Sequence, residues 1–250
     1  MTPFKFRKIK LMKIKNLYFA YAFTALAALY GCGDVETTNQ VEEPSSARAA
    51  AQEGEKPAAA AETKTVLFFG NSLTAGYGLE TDQAFPALIQ ERIDSLDLPY
   101  KVINAGVSGE TTAGGKSRID WLLKQPVDVF VLELGANDGL RGIDPAQTYT
   151  NLKAIIEKVR AKNPDVKVVL AGMQIPPSMG QQYAEEFRGV FTRIAEEENV
   201  ALIPFLLEGV AGIPKLNQAD GIHPTVEGQK IVADNVWEVL APALQQDAEA

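Results

Sequence analysis

The chain has 250 residues, 46% of them hydrophobic, which is ample for the core of one large domain or two small ones. It carries 24 basic and 32 acidic side chains, so its formal net charge is −8. This acidic balance opposes binding to nucleic acid and electrostatic docking to anionic lipid. The single cysteine excludes an internal disulfide bond.

The first 31 residues have the pattern of an export signal. Six basic residues lie between positions 5 and 15, and an uncharged apolar run from Leu17 to Gly31 follows them. That run is short for a membrane span and has the flanks of a signal peptide, so residues 1–31 are predicted to be removed. Met12 is an alternative start of the protein, because Met12-Lys13-Ile14-Lys15 already supplies the basic segment of a signal peptide. Removal would leave 18 basic against 32 acidic residues, a net charge of about −14.

The only cysteine, Cys32, directly follows this segment. Leu29-Tyr30-Gly31-Cys32 resembles a bacterial lipoprotein lipobox, although Tyr30 replaces the usual small residue. The resemblance implies that Cys32 is lipidated, and several buried acyl chains would give stable anchoring. We therefore expect an exported protein that is attached by lipid alone to a bacterial cell-envelope membrane and faces the periplasm or the exterior. Soluble secretion and a retained single-span anchor are the alternatives.

Residues 33–62 are predicted to be a disordered tether. They are rich in Ala, Glu, Thr, Ser, Gln and Pro and have almost no large apolar side chains, so they cannot bury enough surface to fold. A flexible coil of about thirty residues spans roughly 30 Å. The folded domain is predicted at residues 63–244, with residues 245–250 as a C-terminal tail.

Within this domain, short apolar runs alternate with segments of helical periodicity. Pro86, Pro145 and Thr225 suit the first turns or caps of helices. The alternation predicts βαβ units and hence an α/β fold, a three-layer α/β/α sandwich around a central, mostly parallel sheet of five strands. The predicted strands are Thr65 to Phe69, Lys101 to Ile103, Val127 to Leu134, Val166 to Ala171 and Ala201 to Ile203. The first long helix is predicted to bury Phe85, Leu88, Ile89, Ile93 and Leu96.

Polar, glycine-rich loops follow these strands at residues 70–78, 105–115, 135–142 and 172–180, and a further loop covers residues 217–224. Because the carboxyl ends of parallel strands lie at one edge of a sheet, the first four loops should converge there. Reactive groups of open α/β sheets are found at this edge.

Three side chains of these loops have the chemistry of a serine hydrolase. Such an enzyme needs a nucleophile, a base that takes its proton and an acceptor that orients the base, and Ser72, His223 and Asp220 supply these. His223 is the only histidine, which excludes a His-rich metal site, and we expect neither a metal nor an organic cofactor. Considered alone, each residue has a simpler interpretation: Ser72 as a cap of the next helix and His223 as a structural histidine.

Hydrolysis also needs donors aimed at the developing oxyanion. The backbone N–H of Gly109 and the side-chain amide of Asn137 lie on converging loops and are the candidates. An Asx turn is the alternative interpretation of Asn137.

Four short blocks, in this order, resemble those of the SGNH, or GDSL, hydrolases: Gly70-Asn71-Ser72-Leu73, Gly109, Gly135-Ala136-Asn137-Asp138 and Asp220-Gly221-Ile222-His223. The resemblance covers residues 64–244 and is greatest to the thioesterase I, lysophospholipase and arylesterase branch. It implies a flavodoxin-like sheet, Ser72 as nucleophile, Asp220 and His223 as its partners, and an oxyanion hole of the Ser72 and Gly109 amides with the Asn137 side chain. Asn71 departs from the aspartate of the family name, but an amide can still order the turn.

The resemblance implies a serine esterase that forms an acyl-enzyme and hydrolyses small carboxylic esters, lipid esters or thioesters, of the arylester, lysophospholipid or acyl thioester type. We expect a monomer. A carbohydrate acetylesterase of the same fold is the alternative, and a non-catalytic binding lipoprotein is a more remote one. An apolar pocket wall would favour an acyl chain over a sugar. The residues predicted to form it are Ile143, Met173, Ile175, Pro176, Pro177 and Met179.

A nucleotide-binding P-loop is the remaining rival. Residues 110–117 approach its pattern, but position 110 is glutamate and Gly109 lies one residue too far from the Gly-Lys pair. The misplaced glycine would redirect the amides that hold phosphate, so this interpretation is disfavoured.

Overall fold

A computed structural model of the chain describes residues 63–245. The predicted signal peptide, Cys32 with its lipidation, the tether and residues 246–250 lie outside the described residues. Among those described, no helix is both long and apolar enough to cross a membrane.

The centre of the domain is a five-stranded sheet in which every pairing is parallel, as predicted. The predicted strand ends are correct to within two residues. The spatial order is β2-β1-β3-β4-β5, the flavodoxin-like order. The strands are β1 (Lys64–Gly70), β2 (Tyr100–Asn104), β3 (Val129–Glu133), β4 (Lys167–Ala171) and β5 (Ala201–Ile203).

Helices cover both faces of the sheet and complete the predicted three layers. The helices are α1 (Ser72–Ala75), α2 (Phe85–Ser95), α3 (Thr112–Leu122), α4 (Ala136–Leu140), α5 (Pro145–Lys162), α6 (Gln181–Glu198) and α7 (Val226–Gln245). Helices α2 and α7 pack against each other on one face, and α3, α5 and α6 form the layer on the other.

The predicted helix starts are confirmed by the local geometry. Pro86 and Pro145 lie in the first turns of α2 and α5, where a missing N–H costs nothing. The Thr225 hydroxyl accepts from the Gly228 N–H at the start of α7. One predicted core position is wrong: Leu96 is the C-terminal cap of α2 and is half exposed, because the helix ends before completing the turn that would bury it.

The central strands β1 and β3 are buried on both sides, which explains their nearly continuous apolar sequences. Phe68 packs edge-on against Phe85 of α2, and Phe69 packs against Phe130 of β3. The exception is Glu133, a carboxyl at the end of β3 that is only 1% exposed. Strands β1 and β3 flank the point where the strand order reverses, and a crevice opens there beyond their carboxyl ends.

Candidate active site

Ser72 lies at this crevice as the first residue of α1, directly after β1. Asn71 caps the short helix: its Oδ1 accepts from the Leu73 N–H at 2.9 Å. Gly76 ends it in a left-handed conformation with φ of 71°. The turn therefore holds Ser72 in a fixed position at the carboxyl edge of the sheet.

His223 and Asp220 meet Ser72 from the loop before α7. His223 Nε2 lies 2.8 Å from Ser72 Oγ, and His223 Nδ1 lies 2.6 Å from Asp220 Oδ2. The other oxygen of Asp220 accepts from the N–H groups of Ile222 and His223. These bonds, that of the His223 ring first, lower the pKa of Asp220 to about 2, so it is ionised at neutral pH. The three side chains form the chain of contacts that serine hydrolysis requires.

The loop that carries His223 is tied back on itself and to the serine turn. The Gln218 N–H donates to the His223 carbonyl at 2.7 Å, and Gly221 turns the chain with φ of 70°. The Gln218 side chain donates to the carbonyl of Tyr77, which follows α1. The Tyr77 ring in turn packs on the His223 ring, with centroids 4.6 Å apart. The loop of His223 and the turn of Ser72 are thus held together. Neither Gln218 nor Tyr77 was predicted to lie at the site.

The two predicted oxyanion donors, Gly109 and Asn137, lie on neighbouring loops that are joined by hydrogen bonds. Gly109 has φ of 80°, a conformation that favours glycine, and its carbonyl accepts from Arg141. Asn137 of α4 donates through Nδ2 to the carbonyl of Glu110 at 3.0 Å. Among the described residues, the N–H groups of Ser72 and Gly109 donate to no protein acceptor. Both remain available to a ligand.

The loop bearing Gly109 is fixed by Arg118 of α3. Its guanidinium makes a two-point ion pair with Glu110, donates to the Ala105 carbonyl at 2.7 Å and stacks on Phe69. Most of the segment that approaches a P-loop pattern, residues 112–117, lies in α3; Gly115 lies against Leu134, where a Cβ would come within 2.4 Å of that side chain. The glycine at position 115 is therefore explained by packing.

Glu133, at the end of β3, lies beneath the serine turn. Its Oε2 accepts from the N–H of Asn71 at 3.0 Å, the N–H of Thr74 at 3.3 Å and the Thr74 hydroxyl at 2.8 Å. Its Oε1 accepts from Asn71 Nδ2 at 2.6 Å. Burial raises the pKa of Glu133 to about 7, although these four donors lower it. Glu133 was not predicted to lie at the site; the available signal was a charged residue inside an apolar strand.

A cavity of about 490 Å³ opens beside Ser72 and His223. Of the predicted wall, Met173, Ile175, Pro176 and Pro177 line it, whereas Ile143 and Met179 do not. Ile143 instead contributes its backbone carbonyl to a bond from the Tyr183 hydroxyl. Additional lining residues that the sequence did not indicate are Leu73, Leu140, Phe205, Leu207, Ala211 and Ile222. Most of the lining is apolar, and its polar side chains are those of Asn71, Ser72, Asn137, Gln174, Asn217 and His223.

Within residues 63–245, no three His, Cys, Asp or Glu side chains lie close enough together to hold a metal ion. The crevice brings together three kinds of group. A base contacts a hydroxyl, a carboxylate orients the base, and free N–H groups lie on adjoining loops.

The sequence and the fold both resemble those of known proteins. Residues 68–231 match the GDSL-like lipase/acylhydrolase family. The esterase TesA of Pseudomonas aeruginosa is 44% identical over 185 residues, which are 74% of this chain and 91% of that protein. Thioesterase 1/protease 1/lysophospholipase L1 of Escherichia coli is 38% identical over 190 residues, 76% of this chain and 89% of that protein. The crystal structure of the Pseudoalteromonas esterase EstA, inhibited by monoethylphosphonate, matches with a TM-score of 0.69 and 35% identity, covering 73% of this chain and 99% of that one.

Proposed function

Because the chain belongs to the GDSL-like lipase/acylhydrolase family, it is an ester hydrolase, and we propose that Ser72 is the nucleophile that attacks a carboxylic ester or thioester. The observation that carries this proposal is the 2.8 Å contact of Ser72 Oγ with His223 Nε2, which itself leads to Asp220. Ser72 and His223 line a mostly apolar cavity, and Asp220 contacts the far side of the His223 ring.

In the first step, Ser72 Oγ adds to the acyl carbonyl as His223 Nε2 takes the hydroxyl proton. Asp220 accepts from Nδ1–H, which keeps the lone pair on Nε2 facing the serine and stabilises the imidazolium that forms. The low pKa of Asp220 means that it stays ionised throughout.

Negative charge then develops on the former carbonyl oxygen. The N–H groups of Ser72 and Gly109 and the Asn137 side chain are proposed to stabilise it. One N–H of the Asn137 amide already donates to the Glu110 carbonyl, which orients the group and leaves its second N–H for the substrate. Such preorganised donors stabilise the transition state more than the ground state.

Collapse of the tetrahedral intermediate breaks the bond to the leaving alcohol or thiol, which receives the proton from His223. An acyl-serine remains. Water then attacks the acyl carbonyl, His223 takes its proton, and a second collapse releases the carboxylic acid and returns the proton to Ser72 Oγ.

The lining of the cavity favours an acyl chain as its occupant. Leu73, Leu140, Met173, Phe205 and Leu207 offer apolar contacts, which suit an aliphatic chain better than the hydroxyl groups of a sugar ring. The substrate class that we propose is therefore an ester or thioester with an aliphatic acyl group.

A panel of esters and thioesters of graded acyl length, with acetylated sugars included, tests this function. Wild type should prefer aliphatic acyl groups of several carbons, and Ser72→Ala should show no turnover of any of them while keeping its circular dichroism spectrum. Undiminished turnover by S72A would refute the nucleophile. A preference for acetylated sugars would indicate a carbohydrate acetylesterase instead.

We also propose that the protein is exported and lipid-anchored through Cys32, which the lipobox-like Leu29-Tyr30-Gly31 supports. Palmitate label should be incorporated into the full chain and lost in Cys32→Ala. Continued labelling of C32A would contradict the anchor.

A further inference from the structure

We propose that Glu133 is a positioning residue that holds the turn from Asn71 to Thr74, and so Ser72, in its reactive geometry, with Asn71 as its matched amide partner. The inference rests on the proposed function, because it concerns the same serine.

Glu133 accepts hydrogen bonds from residues on both sides of Ser72 in the chain. Asn71 precedes the serine and Thr74 follows it by two residues, and each donates two hydrogen bonds to the one carboxyl group. Glu133 also pairs in register with Gly70, so its side chain extends from β3 directly to the point where β1 becomes the turn. Every recorded hydrogen bond of this side chain thus goes to the segment that carries Ser72.

Burial of this group is not explained by stability alone. The recorded hydrogen-bond partners of Glu133, Asn71 and Thr74, are neutral, and among the described residues no recorded ion pair joins its carboxyl to a cation. Taking a carboxyl out of water without a cation is unfavourable, and an apolar side chain would suit the strand better. A buried carboxyl inside an apolar strand departs from the usual composition of such strands, and a departure of this kind points to a functional constraint.

The same cluster explains Gly70. A Cβ at this position would lie 2.1 Å from Thr74 Oγ1 and 2.5 Å from Glu133 Oε2, which are both impossible contacts. The space beside residue 70 is therefore filled by the Glu133–Thr74 pair, and the glycine is required because that pair is present.

The amide of Asn71 fits both of its neighbours in only one orientation. Its Oδ1 accepts from the Leu73 N–H, while its Nδ2 donates to Glu133. A carboxylate at position 71 would keep the first bond but would face Glu133 across 2.6 Å, and two carboxyl groups so close must share a proton. Asn71 removes that requirement, which gives a physical reason for its departure from the aspartate of the family name.

An exchange of the two groups tests the pairing. In Glu133→Gln, the new amide N–H would oppose Asn71 Nδ2, and rotating Asn71 would only move the clash to the Leu73 N–H. In the double variant N71D/E133Q, the donor and acceptor roles are exchanged and every bond can form again. The control is Glu157→Gln, an exposed glutamate on α5.

We would measure kcat and KM for a chromogenic ester, and the rate at which a fluorophosphonate labels Ser72, in wild type, E133Q, N71D, N71D/E133Q and E157Q. We expect E133Q to lose about 10- to 100-fold in kcat and labelling rate with KM changed less than about twofold. N71D should lose activity as the pH rises, because the new carboxyl pair gives up its shared proton. The double variant should recover to within about threefold of wild type.

Wild-type kcat and pH profile in E133Q would overturn the inference. If E133Q does not fold, the double variant decides: recovery of folding and labelling supports the pairing, and a double variant no better than the worse single variant contradicts it. These outcomes are separate from the proposed function. Retained activity in S72A would refute the function itself, whereas an inactive S72A beside a fully active E133Q would refute only the role of Glu133.

Discussion

The side-chain amide of Asn71 donates to the buried carboxyl of Glu133 at 2.6 Å, although the two residues are 62 positions apart in the chain. The bond joins the end of β3 to the turn after β1 and lies directly beneath Ser72. Packing of the sheet and placement of the proposed nucleophile are therefore coupled through one pair of side chains.

The first prediction concerns stability and pH. Burial raises the pKa of Glu133 from 4.5 to about 7. Because the folded-state value is the higher one, the stabilisation from this proton is complete below the unfolded-state pKa and is lost as the pH rises through about 7. The free energy of unfolding should fall by about 3 kcal/mol between about pH 4.5 and about pH 8. Urea titrations should show a much smaller fall in E133Q; equal falls would contradict the assignment.

Most of the fold was predictable because parallel strands buried on both faces must be apolar, and such runs stand out. The same logic predicted that the loops after the first strands meet at one edge. The loop of Asp220 and His223 does not follow a strand, so its approach to Ser72 was predicted from the chemistry that a serine hydrolase needs. Gly109 and Asn137 were candidates because they lie on the converging loops, and resemblance to a known family then added the Ser72 amide to the oxyanion hole.

The role of Glu133 was not predictable in this way. It depends on the register that pairs Gly70 with Glu133, and register between distant strands is a property of the folded sheet. Ile143 was assigned to the pocket from its position in a loop, but its carbonyl is bound by Tyr183 and its side chain does not line the cavity. The position of a residue in a loop does not determine whether its side chain faces the pocket.

Asp220→Asn should lower kcat by about 100- to 10,000-fold with little change in KM, because the amide can hold His223 in the wrong tautomer. Since the pKa of Asp220 is lowered to about 2, its own protonation should not contribute to the activity profile above about pH 4. Steady-state kinetics with a chromogenic ester would check both statements. A D220N enzyme within about tenfold of wild type would argue against Asp220 as the orienting group.

Asn137→Ala removes one proposed oxyanion donor and leaves the Glu110 carbonyl without its partner. We expect kcat to fall by about 100- to 1,000-fold while KM stays nearly constant. Gln147→Ala, on the exposed surface of α5, is the control. Equal kcat values in N137A and Q147A would remove Asn137 from the oxyanion hole.

Leu207→Trp tests the acyl pocket. Leu207 lines the cavity and is only partly buried, so added bulk there should fill cavity space without disturbing the core. The kcat/KM ratio for a long-chain over an acetyl ester should fall about tenfold or more. Ile103→Trp, on the exposed part of edge strand β2, should leave the ratio unchanged. An unchanged ratio in L207W would place the acyl chain elsewhere.

Labelling of Ser72 by a fluorophosphonate, located by mass spectrometry of the peptide, is the most direct measurement of the central claim. We predict that wild type gains one phosphonyl group on Ser72 in step with the loss of esterase activity. His223→Ala should be labelled at least about 100-fold more slowly, because the hydroxyl loses its base. Inactivation with the label on another residue, or equally fast labelling of H223A, would contradict a Ser72 nucleophile activated by His223.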